Sequence, residues 1–194
     1  ESVENMLVLD FGTDETLEII RQRADEIAAV MVEPIQSRRA DFKPKAFLQE
    51  VRKITADHGC LLIFDEVITG FRLLPGGAQE FYDIKADLGT YGKVVGGGMP
   101  IGVIAGKKEY MDALDGGFWQ FGDGSVPEVG VTYFAGTFVR HPLALAAAKA
   151  VLIHLKERSM SIYNKLNGYA DKLLSTVNAH CSKTGAPFHL VSFG

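Results

Sequence analysis

The chain has 194 residues, 47% of them hydrophobic, which is enough for one sizeable domain with its own core. A formal net charge of −4 argues against a surface that binds nucleic acid or anionic membranes. No apolar run is long enough to span a bilayer, and no signal-peptide pattern is present. The two cysteines, Cys60 and Cys181, indicate neither a disulfide framework nor a metal site. We therefore expect a cytoplasmic protein.

The first third of the chain alternates between strand and helix patterns. A short strand is predicted at residues 6–9, followed by a helix that Thr13 caps, and then by a strand that ends before Pro34. Pro44 opens a second helix, Gly59 ends it, and an apolar strand follows at residues 61–64, expected to be buried on both faces. This alternation predicts an α/β fold with a mostly parallel sheet.

The remaining elements are predicted in the same way. Residues 73–82 read as a loop, and residues 115–130 as a long irregular insertion. Strands are predicted at 86–91, 101–105 and 188–191, and helices at 109–114, 142–156 and 161–181.

Two side chains follow predicted strands where a parallel sheet usually carries its chemistry. Asp65 ends the strand at 61–64, and Lys93 lies in a glycine-rich turn after the strand at 86–91. An amine that attacks a carbonyl must be uncharged, and burial in an apolar turn would lower the pKa of a lysine. From these residues alone, a structural ion pair between Asp65 and Lys93 explains the pattern equally well.

Three spaced motifs point beyond an ion pair. In order along the chain they read DEVITGFR, YGKVVGGGMPIG and FAGTF. Together they resemble the class III aminotransferases, which use pyridoxal phosphate, and the resemblance runs from about residue 6 to the end. It implies the three-layer large domain of the type I PLP-transferases. Residues 1–158 would form part of that domain, and residues 159–194 a linking helix and the start of a small C-terminal domain.

The resemblance also implies roles for single residues. Lys93 would hold pyridoxal phosphate covalently and move a proton on the substrate, while Asp65 would keep the ring nitrogen protonated. Val67 would pack under the ring. Thr137 would bind the cofactor phosphate of a neighbouring subunit, which implies a homodimer with shared active sites. Glu66 is expected to be a structural hydrogen-bond acceptor, because it points to the opposite face from Asp65.

The reaction implied is transamination of a keto or aldehyde group. The segments VEPIQSRRADF, PGGAQEFY and DGGFWQFGD look most like aminotransferase domains of polyketide and nonribosomal-peptide assembly lines, where an acyl carrier protein holds a β-ketoacyl substrate. The alternative is a glutamate-1-semialdehyde 2,1-aminomutase. Arg38 departs from relatives with ω-amino substrates, many of which carry an acidic residue there, so that substrate preference is in doubt.

Two other classes stay open from sequence. The run LLIFDE matches the Walker B strand of an ATPase, but the phosphate loop that this class needs is not in the sequence. A non-catalytic scaffold that keeps the fold is the other alternative, against which Asp65 and Lys93 argue. Because the chain starts at Glu1 without methionine, we expect a fragment of a longer protein. The resemblance implies that the phosphate-binding loop and the aromatic that covers the ring lie before Glu1, so we expect the fragment by itself to be inactive and to bind the cofactor poorly.

Overall fold

The computed structural model describes residues 3–158 and 160–193, and a four-stranded sheet lies at its centre. The strands are β1 (Ala29–Val32), β2 (Leu61–Asp65), β3 (Leu88–Tyr91) and β4 (Val103–Gly106), and they lie side by side in chain order. β1, β2 and β3 are parallel, whereas β4 runs antiparallel to β3. The predicted α/β fold with a mostly parallel sheet is confirmed. β4 reverses because the link from β3 is too short for the crossover that a parallel strand needs.

The described ranges contain six α-helices. They are α1 (Asp14–Gln22), α2 (Lys45–His58), α3 (Gly77–Tyr82), α4 (Lys108–Asp115), α5 (Pro142–Arg158) and α6 (Met160–Thr184). Short 3-10 turns occupy Ala24–Glu26 and Lys93–Gly96. Thr13 caps α1 as predicted, accepting the Thr16 N–H at 3.2 Å. Gly59 ends α2 at φ +73°, a left-handed conformation that glycine adopts without steric cost.

The core lies on one face of the sheet. Leu62 and Phe64 of β2 are fully buried there, against apolar side chains of α1, α2 and α3. The alternate residues Leu61, Ile63 and Asp65 are only partly buried. The expectation that β2 is buried on both faces is therefore wrong for the described chain, because those helices cover a single face.

Three sequence predictions of secondary structure are wrong. Residues 6–9 form no strand; Leu9 and the nearby Phe11 pack against the core instead. The predicted loop at 73–82 contains α3. Residues 188–191 form no strand, since Leu190 pairs with the Asn178 side chain through hydrogen bonds of 2.8 and 2.9 Å.

The last helix, α6, contacts the earlier part of the chain. Tyr163 of α6 is buried, and the Asn167 amide donates to the Leu73 carbonyl at 3.2 Å. The predicted domain boundary at residue 159 lies outside the described residues, and the division into 1–158 and 159–194 stays a prediction. Among the helices that the structure describes, none is both long and apolar enough to cross a membrane.

Candidate active site

The carboxyl ends of β2 and β3 meet at one edge of the sheet. Because the strands are parallel, Asp65 at the end of β2 pairs in register with Thr90 of β3. The Thr90 hydroxyl donates to Asp65 Oδ1 at 3.2 Å. β3 ends at Tyr91, and Lys93 opens the 3-10 turn that follows. Asp65 and Lys93 therefore lie at the same edge, as predicted.

Asp65 is held through one of its two carboxylate oxygens. Its Oδ1 accepts the Val67 N–H at 3.0 Å as well as the Thr90 hydroxyl. No described residue donates to Oδ2, and the side chain is half-buried. A carboxylate that is oriented through one oxygen and open at the other can accept a hydrogen bond from a protonated ring nitrogen.

Val67 lies beside the backbone that leads into Lys93. A Cβ placed on Gly92 would lie 3.4 Å from a Val67 methyl group and 3.3 Å from the Ile101 carbonyl oxygen. The second distance is tighter than most real Cβ contacts, so a glycine lets the two segments approach closely. The structure thus brings Val67 next to Gly92, one residue before the predicted catalytic lysine.

Lys93 is exposed, which corrects the expectation of a buried lysine. Its φ of +45° lies in the left-handed region, which is uncommon for a residue with a side chain. The 3-10 turn places Lys93 beyond the end of β3, where no described segment shields its side chain from solvent. A non-glycine residue held in this conformation needs support from its surroundings, and such residues cluster at functional sites.

The turn after Lys93 is held by its own hydrogen bonds and by α5. The Val95 N–H donates to the Gly92 carbonyl, and the Gly97 N–H to the Val94 carbonyl, both at 3.2 Å. Gly97 has φ +56°, and a Cβ there would lie 2.8 Å from a methyl group of Val151 on α5. The close approach of α5 therefore depends on glycine at this position.

Glu66 lies on the opposite face from Asp65 and is fully buried. Its Oε2 accepts the Ala78 N–H at 2.6 Å and the Thr69 hydroxyl at 3.1 Å, and its Oε1 accepts the Gln79 amide at 3.0 Å. The prediction that Glu66 is a structural acceptor is confirmed by these contacts.

Thr137 lies in the segment that leads into α5. It is exposed and sits in a turn closed by hydrogen bonds from Val139 N–H to the Gly136 carbonyl (3.1 Å) and from His141 N–H to the Phe138 carbonyl (3.3 Å). Within the described ranges no hydrogen bond joins it to Lys93 or Asp65. Its role toward a neighbouring subunit stays a prediction.

Sequence reasoning missed two residues near the site. Thr90 holds Asp65, and the signal for it was the parallel register, which places the end of β3 beside the end of β2. Gln79 joins Glu66 to Tyr91, but it could not be assigned because α3 was read as loop.

Asp87 was also missed, and its role is structural. It is 2% exposed and accepts from Leu62 N–H (2.7 Å), Arg52 (2.8 Å) and Lys107 (2.7 Å). Burial alone would raise the pKa of its carboxyl. The hydrogen bonds from Leu62, Lys107 and Arg52 outweigh burial, so the pKa lies below its usual value.

An α/β domain with a lysine and an open carboxylate at the carboxyl edge of a parallel sheet has the arrangement of the large domain of type I PLP-transferases. Residues 7–184 match the family described as aminotransferase class-III. The chain belongs to the class III aminotransferases, a family of enzymes that depend on pyridoxal phosphate.

Relatives and solved structures agree with this assignment. The chain is 40% identical over 182 residues to glutamate-1-semialdehyde 2,1-aminomutase 2 of Lachnoclostridium phytofermentans, covering 93% of this chain and 40% of that protein. It is 45% identical over 153 residues to glutamate-1-semialdehyde 2,1-aminomutase of Hyperthermus butylicus, covering 78% of this chain and 33% of that protein.

Among solved structures, an omega-transaminase from Sphaerobacter thermophilus superposes with a TM-score of 0.82 at 31% identity, covering 97% of this chain and 40% of that one. A beta-phenylalanine aminotransferase from Variovorax paradoxus superposes with a TM-score of 0.80 at 31% identity, covering 97% and 41%. The chain thus spans well under half the length of these proteins.

Proposed function

We propose that a protein containing this chain transfers an amino group with the help of pyridoxal phosphate. The observation that carries the proposal is the open Oδ2 of Asp65, held at the same sheet edge as Val67, Gly92 and Lys93. Membership of the class III aminotransferases supports it.

The residues at this edge fit the cofactor. Pyridoxal phosphate supplies an electron sink for a carbanion next to the amino group. The Lys93 amine is exposed at the edge, so an aldehyde can reach it, although the amine must lose its proton before it attacks. Asp65 Oδ2 would keep a ring nitrogen protonated, through a charge-assisted hydrogen bond worth roughly 1.5–3 kcal/mol. Val67 offers a branched apolar surface for a ring.

Our first candidate for the substrate is glutamate-1-semialdehyde. The two relatives described above carry that aminomutase in their names, at 40% and 45% identity. These names favour the aminomutase over the assembly-line function that the sequence motifs suggested first.

A carrier-bound β-ketoacyl chain is the second candidate. Residues 116–141 form a long irregular segment whose side chains are mostly exposed, Phe121 at 97% and Tyr133 at 92%. If this segment borders the site, its exposed apolar side chains would suit a bulky tethered substrate. Arg38 is also exposed, in the loop after β1 at the carboxyl edge of the sheet.

Thr137 leads us to propose a homodimer in which each subunit contributes to the site of the other. A hydroxyl and backbone N–H groups in an exposed turn suit a phosphate. The family resemblance supports this assignment, and we propose the cytoplasm as the location.

The test compares Lys93→Ala with Lys108→Ala in a protein containing residues 1–194. Lys108 is an exposed lysine that pairs with Asp112 and lies in α4, so it is a matched control. Each protein is given either glutamate-1-semialdehyde, or a β-ketoacyl carrier protein with glutamate or glutamine as donor. Lys93→Ala should lose roughly a thousandfold in activity, while Lys108→Ala stays within about twofold. If the unmodified protein neither moves the amino group of glutamate-1-semialdehyde from C2 to C1 nor aminates the carrier-bound ketone, the proposal is overturned.

A further inference from the structure

On the face opposite Asp65, a partly buried hydrogen-bonded chain of side chains ends at Tyr91, just before the turn of residues 92–97 that contains Lys93 (the Lys93 turn). Gln79 of α3 donates one amide hydrogen bond to Glu66 Oε1 and another to the Tyr91 hydroxyl, both at 3.0 Å. The Gln79 carbonyl oxygen accepts the Ala86 N–H at 2.9 Å. Both amide hydrogens and the oxygen of Gln79 are therefore used, which leaves one orientation of the amide.

Each end of this chain is fixed to a different strand. Glu66 follows the last residue of β2, and its N–H donates to the Thr90 carbonyl at 2.9 Å. Tyr91 is the last residue of β3 and lies two positions before Lys93. A chain from Glu66 through Gln79 to Tyr91 thus ties the end of the Asp65 strand to the end of the Lys93 strand.

The Tyr91 side chain folds back along the sheet. A Cβ placed on Gly89 would lie 2.7 Å from the Tyr91 hydroxyl oxygen, and one on Gly70 would lie 2.6 Å from the ring. Phe71 packs against the same ring with centroids 5.7 Å apart. Both glycines leave room for the ring, so its hydroxyl reaches Gln79 in one defined position.

The surroundings keep the hydroxyl in its neutral form. Burial raises the pKa of Tyr91, and the nearby Glu66 carboxylate raises it further, whereas the hydrogen bond from Gln79 lowers it by less.

We propose that Glu66, Gln79 and Tyr91 are positioning residues that hold the Lys93 turn, at its left-handed φ, against the Asp65 end of β2. This inference rests on the proposed function in one respect, namely that Lys93 is the residue that binds the cofactor. Lys93 itself has no side-chain hydrogen bond in the described ranges, so the geometry of its backbone must come from the residues on either side. Gly97 against α5 holds the far side, and Tyr91 holds the near side.

The test is Tyr91→Phe in a protein containing residues 1–194, with two matched controls. Tyr82→Phe makes the same change at a more deeply buried tyrosine, whose hydroxyl has no hydrogen-bond partner among the described residues. Thr69→Val removes a different donor to Glu66, on the oxygen that does not face Gln79. Together, the two controls distinguish loss of the hydrogen bond between Gln79 and Tyr91 from a general loosening of the packing around Glu66.

The first readout needs no cofactor. Amide hydrogen exchange at Val95 and Gly97, both hydrogen-bonded within the Lys93 turn, should speed up about fivefold in Tyr91→Phe, the effect of losing one neutral hydrogen bond. Tyr82→Phe and Thr69→Val should change it by less than about twofold. Unchanged exchange in Tyr91→Phe, or an equal change in Thr69→Val, would overturn the proposal.

The second readout is the dissociation constant for pyridoxal phosphate, which should rise about fivefold in Tyr91→Phe and stay within about twofold in the controls. If the unmodified protein binds no pyridoxal phosphate, the proposed function fails, and the exchange data alone decide the positioning role. If it binds the cofactor and Tyr91→Phe binds equally well, the positioning role fails and the proposed function stands.

Discussion

Two adjacent carboxylates at the end of β2 have opposite surroundings. Glu66 is fully buried, and three donors share its two oxygens. Asp65 is half-buried and has one oxygen that no described residue uses. Successive side chains on a strand point to opposite faces, so a single step along the chain separates a saturated structural acid from an open one. Of the two carboxylates, Asp65 is therefore the one that can accept a hydrogen bond from a ligand, because one of its oxygens has no donor among the described residues.

The largest expected effect of breaking this contrast falls on activity. Asp65→Asn keeps an oxygen for Val67 N–H and Thr90 but removes the charge, so we expect activity to fall by roughly a hundredfold or more. The free energy of unfolding should change by less than about 1 kcal/mol, since Asp65 is only half-buried. Steady-state kinetics and urea unfolding measure the two quantities. A large loss of stability with activity intact would reverse the roles that we assign.

The next largest effect tests how rigidly the buried Glu66 carboxylate is held. Gly77 has φ +63°, and a Cβ there would lie 2.2 Å from Glu66 Oε2. Gly77→Ala should therefore cost about 3 kcal/mol of unfolding free energy, from backbone strain and displacement of a buried carboxylate. Gly59→Ala is the control, because Gly59 has φ +73° and open space, and it should cost only about 1 kcal/mol. Equal costs in urea unfolding would show that Glu66 is not rigidly held.

A smaller effect concerns Asp87, another saturated carboxylate. Its folded pKa lies below the ordinary value of 3.8, so its stabilising contribution is present above about pH 4 and is lost as the pH falls through the folded pKa. Asp87→Asn should lower stability by roughly 2 kcal/mol at pH 7. The difference from the unmodified protein should shrink on acidification below pH 4. A difference that is constant from pH 7 to pH 3 in unfolding experiments would contradict this account.

Much of the fold followed from local patterns in the sequence. Thr13 and Gly59 marked helix ends through capping chemistry, and the apolar run at 61–64 marked β2. The helix α3 was missed because it is only six residues long and begins at a glycine. The strand expected at 188–191 did not form because strand pairing depends on a partner, which no local pattern specifies.

For the candidate site too, local patterns predicted the position of residues but not the features that depend on distant segments. The sequence predicted that Asp65 and Lys93 lie at the carboxyl edge of the sheet, because each comes at the end of a strand of a parallel pair. It could not give the exposure of Lys93 or its φ of +45°, because both depend on how distant segments pack around the turn. Nor could it find the link through Gln79, which requires knowing that α3 lies beside the end of β3.

The most direct test of the account is to trap the cofactor chemically on the lysine. A protein containing residues 1–194 is mixed with pyridoxal phosphate, reduced with borohydride and mapped by peptide mass spectrometry. The account predicts a pyridoxyl label on Lys93, lost in Lys93→Ala and much reduced in Asp65→Asn. Labelling spread over exposed lysines such as Lys108 and Lys53, with none preferred on Lys93, would contradict it.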